Sequence, residues 1–349
     1  MKSDFELEGL LGQCSVNVEK FAQVLLAERF NVPFSNLHRQ IFEVLDNPSI
    51  QRVAVAAPRG FGKTSLVNIA FTLKNILFRD KRFIVPISNT ATQAVLQSEN
   101  IKRELLMNAE VTRMFGPMKS DNFSKEIWET QTGTMVMPRG AGQQVRGLLY
   151  DKDRPDLIIL DDVENKDDVK NPDLRKELKE WFFADVCNSV NRHSKDWRII
   201  LIGTILHEDS LLANLLNDPN WYTIRLELCD DDYNSNWPDF ITTEEVKKLA
   251  HSFRILGLLD VFFREYRNIP ISKEDATFKN EYFKYYDEAD EELDKKSSVE
   301  NVIIVDPAKT VKLHSDYSSI TGIGVDRISG KIYYRDCIAE RFYPDQLYN

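Results

Sequence analysis

Val53-Ala54-Val55-Ala56-Ala57-Pro58-Arg59-Gly60-Phe61-Gly62-Lys63-Thr64-Ser65 is the stretch from which the rest of this chain can be read. Four apolar residues make a buried strand, Pro58 to Gly62 interrupt it, and Lys63-Thr64 open a helix. Glycines at 60 and 62 let the backbone turn tightly and aim its N–H groups at phosphate oxygens. The helix beginning near Lys63 adds the positive end of its dipole. Lys63 is expected to reach the β and γ phosphates of a nucleotide, and the Thr64 hydroxyl to bind Mg²⁺. Arg59, Gly60, Phe61, Gly62 and Ser65 complete the loop around them. Ala57 stands where the common G-x-x-x-x-G-K-[ST] pattern has its first glycine, and Arg59 adds a second cation. Taken alone, the stretch is also compatible with a plain strand-to-helix turn.

A second segment, Leu157-Ile158-Ile159-Leu160-Asp161-Asp162-Val163-Glu164, is a buried strand ending in acids. Asp161 is placed to hold the shell of the magnesium ion. Asp162 or Glu164 then orients and deprotonates the attacking water, and strand alternation does not choose between them. The two segments together describe a site for ATP and Mg²⁺, and an ATPase is expected.

The chain has 349 residues, 42% hydrophobic and 29% charged, enough for two globular domains. It shows no apolar run of the ~18–20 residues that crossing a bilayer takes, and Met1 to Glu6 has no signal-peptide core. Cys14, Cys187, Cys229 and Cys337 are far apart, without a C-x-x-C pair, and read as reduced thiols. The net charge of −10 argues against a protein that coats DNA passively. It leaves room for a motor that grips DNA with a local basic face.

The pattern of elements predicts an α/β fold, a mostly parallel sheet flanked by helices. Residues 1–50 form a helical segment. Strands are expected near 52–57, 83–88, 134–137, 157–161, 198–203 and 222–228, and helices near 63–78, 90–107, 173–190 and 208–216. The ATPase domain runs over 51–272, with a helical, aromatic-rich subdomain after about 229. A polar connector covers 273–300. A second domain occupies 301–349, with strands from Val302, Ser319 and Lys331. No strand follows the third, and the chain reads as truncated there.

Further segments fall in order: Gly142-Gln143-Gln144-Val145-Arg146-Gly147, Ile202-Gly203-Thr204, Phe263-Arg264-Glu265-Tyr266-Arg267-Asn268-Ile269-Pro270, and Val305-Asp306-Pro307-Ala308 ahead of Asp316. From about residue 37 onward the series resembles the large terminase subunit of tailed bacteriophages. No single motif is specific to that family, whereas their order and spacing are.

The resemblance implies a P-loop ATPase joined to the first strands of an RNase H-like nuclease, in a motor that drives double-stranded DNA into a viral procapsid. The implied partners are DNA, the capsid portal, the small terminase subunit and copies of the chain itself in a ring, with a monomer in isolation and no membrane. The implied location is the host cytoplasm. Gly203-Thr204 matches the motif coupling the γ-phosphate to DNA movement, and Gln40 matches an adenine-contacting glutamine. Arg146 looks like a finger supplied to a neighbouring subunit's ATP, with Arg59 as a competing candidate acting in cis. Asp306 resembles the first metal-binding carboxylate of the nuclease, with Asp316 and Asp336 as weaker candidates. The remaining carboxylates are expected beyond Asn349, so no nuclease activity is expected of this chain. Alternatives are another P-loop DNA translocase or helicase-like ATPase, a small-molecule kinase, and a nucleotide-gated module that docks on a portal.

Overall fold

The computed structural model describes residues 4–192, 194–270, 284–288, 293–307 and 318–340. It divides into two compact units, Met1–Ala276 and Thr277–Asn349. Asp316 and residues 273–283 and 289–292 of the expected connector lie outside the described residues.

In the first unit, three helices, α1 (Asp4–Val16), α2 (Val18–Leu25) and α3 (Asn36–Asp46), precede β1 (Arg52–Ala56). A wide-turned π helix, Thr64–Phe71, continues into α4 (Thr72–Leu77), and β2 (Phe83–Ser88), α5 (Ala91–Met107) and α6 (Ala109–Phe115) follow. The short strands β3 (Lys119–Phe123), β4 (Trp128–Thr130), β5 (Met135–Val136) and β6 (Arg139–Gly140) lead to β7 (Leu157–Asp161). Next come α7 (Pro172–Trp181), a further π turn and α8 (Cys187–Ser189), then β8 (Arg198–Gly203), α9 (Leu211–Leu216) and β9 (Tyr222–Arg225). Helices α10 (Thr243–Ile255) and α11 (Leu259–Arg267) close the unit. Side chains of Asn17, Thr90, Asn108, Asn171, Ser210 and Thr242 cap the helices that follow them, satisfying N–H groups that the helix itself leaves unpaired.

The sheet has the order β3-β4-β5-β2-β7-β8-β1-β9, with β6 pairing β2. It is parallel except at the β3-β4-β5 edge. Period-two alternation splits each central strand between two cores. Val53, Val55, Leu157, Ile159, Ile200 and Ile202 face one core, with residues of α2, α3 and α4. Ala54, Ala56, Ile158, Leu160, Ile199 and Leu201 face the other, with Phe182, Leu211 and Leu215. The amino-terminal helices therefore share a core with the sheet. A third cluster joins α10 and α11 around Phe262 and Val246.

Register sets the site. Ser88 pairs with Asp161, Asp161 with Ile202, and Gly203 with Ala56, so the carboxyl ends of β2, β7, β8 and β1 line up. The crevice outside those ends is where open α/β sheets bind ligands.

The second unit contains an antiparallel sheet, β10 (Val299–Asp306), β11 (Ser318–Asp326) and β12 (Ile332–Glu340), in that order. Its hairpin turn is shaped by Asp326, which accepts from the Ile328 N–H and the Ser329 hydroxyl. No described helix is long and apolar enough to cross a membrane.

Candidate nucleotide site

A cavity of about 550 Å³ opens at the carboxyl ends of these strands, lined by the loop 59–65 and by Asp162, Glu164, Lys166 and Thr204. Gly60 and Gly62 have φ of +79° and +72°, conformations that any other residue would adopt at a cost. Beneath the loop, the Phe61 ring stacks on His38 at 3.9 Å and 6°. The Ser35 N–H donates to His38 Nδ1 (3.0 Å), so Nε2 carries the proton and donates to the Phe61 carbonyl at 3.2 Å. Burial drives the His38 pKa down to about 4, keeping the imidazole neutral.

Lys63 is buried and points across the site. Its Nζ donates to Thr204 Oγ1 at 2.8 Å and lies 3.1 Å from Asp162 Oδ1. Asp162 has φ of +46°. A Cβ on Gly203 would come within 3.3 Å of Asp162 Oδ1, so the glycine makes room for this carboxylate.

Asp161 is fully buried. Its Oδ2 accepts from Gln97 Nε2 at 3.2 Å, and the Gln97 carbonyl oxygen accepts from Ser88 at 2.8 Å and from Asn68. Its Oδ1 is buried and unpartnered. Burial, then the charge of Asp162, raises its pKa to about 6, while Thr64, Lys63 and Asn68 pull the other way. An orphaned carboxylate oxygen beside a threonine hydroxyl suits Mg²⁺, which takes few protein ligands and relies on water and phosphate oxygens for the rest.

Glu164 is occupied differently. Its two oxygens accept from the N–H groups of Leu211 (2.8 Å) and Leu212 (3.2 Å) at the start of α9. Burial raises its pKa against those hydrogen bonds.

Of the other sequence-predicted residues, Arg59 lines the cavity and Gln40 and Arg146 do not. Gln40 is exposed and does not line the cavity. Arg146 is exposed and makes no ion pair among the described residues. Its segment is anchored by buried Val145 and by the Trp181 Nε1–H donating to the Gln143 carbonyl at 2.8 Å. Arg59 is tied by its Nε to Glu265 Oε2 at 2.7 Å. In the second unit Asp306 is exposed at the end of β10, and Asp336 pairs with Gly322 while Asp306 pairs with Ser319. Among the described residues no three His, Cys, Asp or Glu side chains gather to hold a metal ion. Sequence reasoning assigned no role to His38 on α3, Gln97 on α5, or Glu265 and Asn268 at the end of α11, which support the site from outside its loops.

No protein-family model matches this chain, and no curated protein matches it. Among solved structures, the HK97 bacteriophage large terminase superposes with a TM-score of 0.51 at 15% identity, over 88% of this chain and 63% of that one. The fold is that of a phage large terminase. The present chain spans less than two thirds of that terminase's length. The ATPase domain of the Thermus phage P74-26 large terminase follows, with a TM-score of 0.48 at 12% identity, over 72% of this chain and 97% of that one. A large terminase from a thermophilic bacteriophage, solved in complex with ADP, has a TM-score of 0.39 at 8% identity over 90% of this chain and 72% of that one. Such identities speak for architecture, and the activity is argued from the site itself.

Proposed function

We propose that this chain is the Mg²⁺-dependent ATPase of a viral DNA-packaging motor. The observation that carries the reading is the convergence of Lys63, Thr64, the orphaned Oδ1 of Asp161 and Thr204 on one cavity at a strand-to-helix loop. Thr64 and Asp161 would hold the magnesium ion, which, when bound, offsets charge on the phosphates. Lys63 exchanges Asp162 for the β and γ phosphates. That exchange frees Asp162, and we assign it to orient and deprotonate the attacking water, because both oxygens of Glu164 are already used by α9. Thr204, released by Lys63 in the same exchange, carries the change to β8.

In this reading the motor acts as a ring on double-stranded DNA at a capsid portal, with the small subunit, in the host cytoplasm. Exposed Arg146 reaches a neighbouring subunit's nucleotide, a role worth roughly 10³–10⁵ in rate in P-loop enzymes. In the same reading Asp306 belongs to an RNase H-like nuclease. A helicase-like ATPase is the alternative, and it would need no second copy to complete its site.

The test is ATP hydrolysis per subunit over a range of protein concentrations, with and without Mg²⁺. Activity should rise with concentration, vanish in Lys63→Ala, and fall at least a hundredfold in Arg146→Ala while nucleotide binding persists. Concentration-independent turnover would remove the ring, and Arg146 with it. Hydrolysis surviving in Lys63→Ala would remove the site.

A further inference from the structure

The segment Phe263 to Pro270 has no assigned role in the mechanism above, yet one turn of it reaches three loops of the nucleotide site. Glu265, on α11, is buried. Its Oε2 accepts from Arg59 Nε at 2.7 Å, its Oε1 lies 2.8 Å from Lys166 Nζ, and its backbone carbonyl accepts from the Arg59 N–H at 2.8 Å. Arg59 belongs to the phosphate loop and Lys166 to the loop after the acidic strand, and both line the cavity.

Three residues on, Asn268 caps α11 in the left-handed conformation, with φ of +52°. It is fully buried. Its Oδ1 accepts from the Ile205 N–H at 3.0 Å, the residue after Thr204, and its Nδ2 donates to the Leu226 carbonyl at 2.8 Å. The turn is held from outside by Arg267, which binds Glu227 and Asp231 at 2.8 and 2.7 Å.

A guanidinium has five N–H donors in a rigid fork. Glu265 takes the Nε–H and leaves both Nη groups without a partner among the described residues, on a side chain 65% exposed at the cavity. The carboxylate thus fixes which edge of Arg59 faces a phosphate. It also offsets one of the three positive charges within 4 Å of it, those of Arg59, Lys166 and, at 3.7 Å, Arg264. Burial pushes the Glu265 carboxyl up, and Lys166 and Arg59 together outweigh it, so the group stays ionised.

We propose that Glu265 is a positioning residue that orients Arg59 toward the γ-phosphate, acting through it on the nucleotide site. The proposal rests on the ATPase reading and assigns that site a cation in cis. Because Glu265 acts by orientation, its loss should be felt in the chemical step more than in binding, since misplacing a group by about 1 Å can cost ~10²-fold in rate.

The experiment is a double-mutant cycle on the full chain, with kcat from ATP hydrolysis and affinity from titration with a fluorescent ATP analogue. Glu265→Gln should lower kcat at least tenfold while affinity changes less than threefold. Arg59→Ala/Glu265→Gln should be no slower than Arg59→Ala alone, because the two residues act as one unit. Arg59→Lys, which keeps the charge and loses the fork, should match Glu265→Gln and gives the same reading if that variant does not fold. Factors that multiply in the double mutant, or an Arg59→Lys chain as fast as the original, overturn the proposal alone. An unaltered chain that binds the analogue without hydrolysing ATP overturns the ATPase reading, and this inference falls with it.

Discussion

The two sheets of this molecule handle similar apolar strands in opposite ways. In the first unit β1, β2, β7 and β8 are covered on both faces, and every residue of β7 and β8 is buried. In the second, β10 is an edge strand along which Val302, Ile303, Ile304 and Val305 are between 38% and 72% exposed. Burying one such side chain is worth about 1.5–3 kcal/mol, so the first sheet draws its stability from its interior. The difference extends to polar groups. The first unit buries Asp161, Lys63, His38 and Glu265 around a cavity, whereas Asp306 in the second is exposed. A desolvated group can be tuned in pKa and held in one orientation, while a solvated carboxylate is neither. On this physical ground the tunable polar groups of the described residues are those of the first unit.

Matched truncations test that contrast most strongly. Ile159→Ala removes a side chain fully buried in β7 and should cost about 2–5 kcal/mol. Ile303→Ala, at a position 72% exposed, should cost under about 0.5 kcal/mol. All five tryptophans, at 128, 181, 197, 221 and 237, lie in the first unit, so their fluorescence in guanidinium reports that unit alone. Hydrogen exchange of β11 peptides follows the other. Equal losses at the two positions would show that the exposed sheet is covered in solution.

The same contrast explains what could be read from sequence. Runs such as Leu157–Leu160 are legible because burial on both faces demands unbroken apolar residues, and the turn before Lys63-Thr64 is legible because its positive φ angles restrict it to glycine. Strands β3 and β4 were not expected, since Lys119–Phe123 lies at a sheet edge with polar residues and irregular pairing. Three-dimensional support was also invisible. Gln40 and His38 are two residues apart, about 200° around a helix, so the exposed glutamine and the buried histidine sit on nearly opposite sides of α3. Glu265 meets Arg59 across 206 positions, a separation no local pattern encodes.

Acid should weaken the first unit through His38. The unfolded imidazole has its ordinary pKa of 6.5 and the folded one about 4, so the unfolded chain takes up the proton first. The stability this provides is fully present above pH 6.5 and is lost as pH falls toward 4, in total on the order of 3 kcal/mol. His38→Phe keeps a ring against Phe61 and removes the titration. The difference between the two chains' guanidinium midpoints should therefore shrink from pH 7 to pH 5. In the second unit the hairpin acid Asp326 is held down to about 2 by the Ser329 hydroxyl and the Ile328 N–H, so the protection of β11 and β12 from exchange, relative to the intrinsic rate at each pH, should not change over that range. A difference between the chains that stays constant with pH would mean that His38 is not desolvated.

The smallest effect is on metal uptake. With its pKa raised to about 6, Asp161 is ionised at pH 7.5 and increasingly protonated below pH 6, and a proton there would compete with the Mg²⁺ that the proposed function assigns to it. The gain in nucleotide affinity that Mg²⁺ confers should thus shrink by about tenfold per pH unit below 6, after correction for protonation of the nucleotide itself. Asp161→Asn should lose both the gain and its pH dependence. Asp306→Ala should follow the unaltered chain at every pH, because that carboxylate is exposed and no two further acids gather beside it among the described residues. If Asp306→Ala also flattened the profile, the assignment of the cation to the buried carboxylate of the first unit would fail.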